Sequence, residues 1–316
     1  MLVSTKSSTT ATRLLGLASL FALAVPEATR SAEAAVPTDR CTQTASAADT
    51  ACRKEAAGDY WLAEGICENV PAPAARAACI RDAKDERQSA VEDCAAQLAA
   101  REGLCDEIGQ AAYAPSVNPA NFTTTIDNPF LPWVPGTIFV YESSEGEVVT
   151  VTVLEETAEI GGVETVIVHD AATIGGVLVE DTYDYYAQDL QGNVWYFGED
   201  TVEYEEGRIV SVEGAWRTGV DGAKPGIVMK ANPMVGDVYR QEFALGEAED
   251  DAEVVSLNAT ATVPAGTFNG CIKTDDQSAL EPDIDESKFY ASGVGLVLAV
   301  NNESGEREEL VSVTGP

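Results

Sequence analysis

The chain has 316 residues, 45% of them hydrophobic, and a formal net charge of −34. Its length allows about two ordinary domains, and its apolar fraction excludes wholesale disorder. The charge argues against nucleic acid and anionic membrane surfaces as partners, because both present phosphates that a polyanion repels.

The N-terminus reads as an export signal. Lys6 and Arg13 precede an apolar run, Leu14 to Val25, and Ala32-Glu33-Ala34 then offers small residues for cleavage. A signal peptide over residues 1–34 is expected. The apolar run is too short to span a bilayer, and no later segment is long and apolar enough to do so, so no membrane insertion is expected. The expected location is secreted or periplasmic, an oxidising space where disulfides persist.

Residues 38–109 are rich in Ala, Glu, Arg and Gln, which favour helix. Six cysteines, Cys41, Cys52, Cys67, Cys79, Cys94 and Cys105, are spaced by 11, 15, 12, 15 and 11. If three lie on each of two helices, cysteines 11 apart on one helix are about 16 Å apart. A disulfide reaches about 7 Å between Cα atoms at most, so bonds within a helix are excluded. In an antiparallel hairpin, facing residues have a constant index sum, and this leaves Cys41–Cys105, Cys52–Cys94 and Cys67–Cys79. Pro71 and Pro73 place the turn between the helices. Zinc ligands come as short C-x₂₋₄-C pairs, and none is present. The hairpin is expected to act as a spacer or as a docking arm for a protein or surface partner.

A linker over 110–126, with Pro115 and Pro119, leads to residues 127–316, where Val, Thr, Tyr and Gly dominate. Residues 106–316 hold 8 basic and 39 acidic side chains, a net of −31. Short strands are expected over 137–142, 147–156, 163–169, 177–187, 194–197, 208–213, 238–243, 253–263, 271–274, 288–291, 295–300 and 308–313. Gly161-Gly162 and Gly175-Gly176 serve as turns. The run Gly246–Glu253 reads as a mobile charged loop. The odd cysteine, Cys271, lies in a predicted strand that favours burial. The fold class is α+β: a disulfide-stapled antiparallel helical hairpin followed by a mainly antiparallel β meander, curled as a sandwich or half-barrel.

No G-x-S-x-G, H-E-x-x-H, P-loop or G-x-G-x-x-G motif is present. The single histidine, His169, sits beside Asp170 in an apparent strand and reads as a strand side chain rather than a general base. The densest polar and aromatic stretch is 179–206. Its acidic residues Glu180, Asp181, Asp184, Glu199 and Asp200 are the candidate ligand or metal groups, with Tyr183, Tyr185 and Trp195 as candidate aromatic contacts. Carboxylates beside aromatic rings suit calcium, a sugar or an organic cation. No cofactor is expected, calcium being the one candidate.

The stretches DNPFLPWVPGTIFVYE, EDTYDYYAQDLQGNVWYFGEDT, GIVMKANPMVGDVYRQE and VPAGTFNGCIKT with LEPDIDESKFYASGVGLV span about residues 127–313. They resemble a family of secreted bacterial β-rich proteins. The resemblance implies export and a β fold, and brings no activity with it. Two functions follow from the residues: a non-enzymatic exported module that binds a cation or small ligand, and a carboxylate-dependent, glycosidase-like hydrolase built on 179–206.

Overall fold

The computed structural model describes residues 39–282 and 284–316; the expected signal peptide lies outside them. Helix α1 spans Arg40–Glu68 and helix α2 spans Pro73–Ile108. They run antiparallel, with Pro73 in the first turn of α2 and Gly109 ending it at φ 93°. Disulfides Cys41–Cys105, Cys52–Cys94 and Cys67–Cys79 staple them at Cα separations of 5.6, 5.8 and 5.5 Å. The hairpin needs them. Apart from its cysteines, its buried apolar side chains are only Ala45, Ala56, Tyr60, Ala83 and Leu104, and cross-links worth about 2–4 kcal/mol each substitute for a core.

Sixteen antiparallel strands follow among the described residues. They are β1 (Phe122–Thr123), β2 (Ile138–Ser143), β3 (Glu147–Ile160), β4 (Val163–Ile174), β5 (Val177–Asp189), β6 (Val194–Glu205), β7 (Arg208–Ser211), β8 (Trp216–Arg217), β9 (Lys224–Met229), β10 (Val238–Arg240), β11 (Glu242–Phe243), β12 (Asp250–Val263), β13 (Gly266–Ser278), β14 (Asp285–Ala291), β15 (Gly295–Asn301) and β16 (Arg307–Thr314). Strands β2 to β6 form one meander and β12 to β16 a second, and β16 pairs with β2.

The far edges of the two meanders meet at one short stretch. β10 pairs with β12, β11 pairs with β9, and only Gln241 separates β10 from β11. The Gln241 amide closes the gap by donating to the Asp250 carbonyl at 2.8 Å. Residues 238–243 therefore act as one stave shared by both edges, and the sheet curls into a barrel rather than a sandwich. Closure depends on a glycine. A Cβ on Gly226 of β9 would lie 2.3 Å from both the carbonyl carbon and the oxygen of Gln241.

Alternation places Phe139, Tyr141, Val149, Val151, Val153, Val166 and Val168 in the main core, inside the barrel. The segment 126–135 packs against this core. Ile126 and Leu131 are buried in that core, and Asn128 donates to the Gly192 and Lys230 carbonyls at 2.9 and 3.3 Å. On the outer face, Val117 and Phe122 from the connecting segment cover Ile160, Val163, Tyr185 and Phe197.

The hairpin is docked on the barrel. Arg101 of α2 donates twice to the buried Glu249, at 2.9 and 2.8 Å, and Gln97 donates to the Leu280 carbonyl at 2.9 Å. This corrects the sequence reading of Gly246–Glu253. The run is not a free charged loop: it leads into β12, and Glu249 is 1% exposed because a guanidinium on α2 neutralises it. Cys271 is a buried free thiol in β13.

Candidate functional site

Strand β5 builds the site. Glu180, Thr182, Asp184 and Tyr186 share one face and line a cavity of about 330 Å³ inside the barrel. Asp184 faces Val168 on β4 and Glu199 on β6; Tyr186 faces Val166 and Tyr196. Tyr196 and Glu199 are three residues apart, so plain alternation would send them to opposite faces. A bulge at Tyr185/Tyr186, where the β6 partners skip from Gly198 to Tyr196, brings both inward. Gly198 sits there at φ 141°, and a Cβ on it would lie 2.3 Å from the Trp216 carbonyl oxygen of β8.

Along the cavity wall, Glu180 is exposed, Thr182 is buried, and Asp184, Tyr186 and Glu199 are half-buried. Seven carboxyl groups line it: Asp170, Glu180, Asp184, Glu199, Glu242, Asp250 and Glu308. Lys288 is the single cationic lining residue, and its ammonium already lies 3.2 Å from Asp276 and 3.6 Å from Glu286. Among the described residues none of the seven carboxylates forms an ion pair. Its apolar and aromatic lining includes Leu131, Trp133, Tyr186, Tyr196 and Tyr290. Tyr186 and Tyr196 stack with centroids 4.8 Å apart, Trp133 sits 5.8 Å from Tyr186, and the buried indole N–H of Trp133 has no partner.

Crowding and burial shift these acids. Burial, then the neighbouring Glu199 charge, push Asp184 up to about 8, although the Tyr196 hydroxyl donates to it at 2.5 Å. Burial and Glu242 push Glu199 up to about 8, and burial with Asp184 and Glu308 does the same to Asp170. Burial raises Glu308 to about 7. Glu242 is also raised, first by burial and then by Asp250, while the Trp216 indole donates to it at 2.9 Å.

The structure divides the sequence-derived candidates. Glu180, Asp184 and Glu199 meet in the cavity. Asp181, Asp200, Tyr183, Tyr185 and Trp195 lie on the opposite face of the sheet, as the period of two requires. There Asp181 pairs with His169 at 2.5 Å, and His169 stacks on Tyr183 at 4.5 Å. Burial alone would raise Asp200, but hydrogen bonds from Arg217 and Tyr185 outweigh it and hold the carboxyl below its ordinary value. The Trp195 indole donates to Asp189 at 2.8 Å. Asp170, Glu242, Asp250, Glu308, Trp133, Tyr186 and Tyr196 were not singled out from sequence. Alternation along 183–186 puts Asp184 and Tyr186 on one face, a signal that reached Tyr186 and none of the others. Among the described residues, no group of three or more His, Cys, Asp or Glu side chains is placed to hold one metal ion.

Fold and site together define an antiparallel barrel with an acidic, aromatic-lined cavity and a disulfide-stapled hairpin, the disulfides suiting an exported protein. The chain matches no protein-family model and no curated protein. Among solved structures it is similar to a candidate lipoprotein from Parabacteroides distasonis, at 16% identity over 58% of this chain and 98% of that one, with a TM-score of 0.32.

Proposed function

We propose that the protein is an exported, non-enzymatic binding module whose barrel cavity takes a small cationic ligand. One observation carries this reading: seven carboxyl groups line one cavity, and Lys288 is the single cation among its lining residues. Burying unpaired carboxylates together is unfavourable, and a bound cation relieves both desolvation and mutual repulsion. A volume of about 330 Å³ is at the small end of ligand pockets, which span roughly 300–1,000 Å³. The cavity suits one compact molecule. Aromatic rings beside the carboxyl groups favour an organic cation over calcium, which takes six to eight oxygens converging on a point.

Calorimetric titration at pH 8 with methylamine, putrescine and CaCl₂, each against NaCl of matched ionic strength, tests the reading. Saturable binding of an amine, lost in Asp184→Asn/Glu199→Gln, is expected. No saturable binding by any of the three would overturn it. The hydrolase reading draws on the facing pair Asp184 and Glu199. Release of reducing sugar from oligosaccharides, abolished in the same variant, would replace the binding reading with that one.

A further inference from the structure

A second cavity lies where the base of the hairpin and the connecting segment meet strands β6, β9 and β10. Its volume is about 370 Å³, and its lining includes Ile108, Ala112, Tyr113, Ile227, Val238 and Arg240. Ala111, Ala112 and Ala114 at its rim are exposed, so it is reached from solvent. Its chemistry is the reverse of the barrel cavity. The chain carries 53 Asp and Glu residues, yet no carboxylate lines this space, and Arg240 is its one charged lining residue.

Arg240 is 6% exposed. Its guanidinium carbon lies 5.7 Å from the ring centroid of Tyr113, which lines the same cavity, and 4.9 Å from that of Phe243. Rings stabilise the charge but give its N–H groups no oxygen to donate to. Nε and Nη1 have no hydrogen-bond partner, and among the described residues Arg240 forms no ion pair. Glu249 is taken by Arg101, and Asp251, opposite Arg240 on β12, acts on it as a neighbouring charge. Burial pulls the guanidinium below its ordinary pKa, against the pull of Glu249 and Asp251. A buried cationic donor without an acceptor is costly, and an anion that supplies one is favoured.

We infer that this cavity binds a small monocarboxylate on a short alkyl or aryl body, its carboxylate on the Arg240 guanidinium and its body against Ile108, Ile227 and Val238. A carboxylate offers two oxygens that match the guanidinium fork. The apolar lining takes the body. A dianion such as inorganic phosphate would bring a second charge against a wall that holds no second cation. This site is separate from the barrel cavity and does not depend on the cationic-ligand reading.

Hexanoate is the probe, compared with hexan-1-ol and acetate by calorimetry on the full chain at pH 7 in about 0.1 M NaCl, which screens the chain's net charge. Hexanoate is expected to bind saturably, at least tenfold more tightly than hexan-1-ol, which keeps the chain without the charge, and than acetate, which keeps the charge without the chain. Arg240→Met should weaken hexanoate at least tenfold and leave hexan-1-ol unchanged, with near-UV circular dichroism checking its fold. Should that variant misfold, Ala112→Trp fills the rim, leaves Arg240 in place, and should weaken hexanoate at least tenfold. No saturable binding of hexanoate, equal affinities for hexanoate and hexan-1-ol, or unchanged hexanoate affinity in either folded variant would overturn the inference. None of these results bears on the barrel cavity, which the amine titrations test by themselves.

Discussion

Replacing Arg101 by Met should undock the helical hairpin from the barrel. The Arg101 guanidinium makes two hydrogen bonds to Glu249, at 2.9 and 2.8 Å, and the two side chains are 4% and 1% exposed. Without it, the Gly246 amide, at 2.8 Å, is the one hydrogen-bond donor left to the Glu249 side chain among the described residues, and the buried Arg240 guanidinium acts on it only as a neighbouring charge. An uncompensated buried charge costs about 3–5 kcal/mol when one partner of such a pair is removed. At about 2–4 °C per kcal/mol, that is a drop in Tm of roughly 6–20 °C. The three disulfides keep the hairpin itself intact, so far-UV helical signal should survive while docking is lost. Arg101→Met combined with Glu249→Leu should recover most of the stability, since an apolar pair of similar size often replaces a buried ion pair without loss. Urea unfolding of both variants checks this. A single variant within about 1 kcal/mol of the parent, or a double variant as weak as the single, would refute the reasoning.

The cavity acids predict an inverted pH dependence of stability. In the unfolded chain Asp170, Asp184 and Glu199 lose their protons near ordinary carboxyl values, while in the fold they hold them up to about 8. The folded state then binds more protons between about pH 4 and pH 8, so stability falls as pH rises, by about 1.4 kcal/mol per pH unit for each such proton. Calorimetric Tm without ligand should drop from pH 5 to pH 8, less steeply in Asp184→Asn; a rise would contradict the assignment. Amine binding should release protons to solvent and strengthen from pH 6 to pH 8, read as a buffer-dependent binding heat; the same heat in buffers of different ionisation enthalpy would count against it. Gly226→Ala places a methyl on the Gln241 backbone at the barrel seam, and should lower stability by at least about 1–3 kcal/mol. An unchanged unfolding midpoint would mean the seam is looser than described.

The hairpin was legible because a disulfide is a hard distance constraint. A cysteine spacing that reads the same in both directions admits one antiparallel register. Most strands were legible from composition and turns, but β9 was missed: Lys224–Met229 contains Pro225 and Gly226, and both read as breakers. In the fold they are what a seam requires, since Gly226 permits backbone contact with Gln241. The site was half legible. Density of acidic and aromatic residues located the right hairpin, and alternation along β5 paired Asp184 with Tyr186. The choice of Tyr183, Tyr185 and Trp195 as ring contacts fell on the outer face. Period-two parity gives two faces without saying which is the lumen, and the Gly198 bulge resets it on β6. Asp170, Glu242, Asp250 and Glu308 come from four other parts of the chain, and only barrel closure brings them together.

The most direct test is a crystal structure of the protein with methylamine at pH 8. The account predicts density for the amine inside the barrel, its nitrogen within hydrogen-bond distance of Asp184 or Glu199. An empty lumen at saturating methylamine, or the amine bound on the outer face beside Asp181 and Asp200, would contradict it.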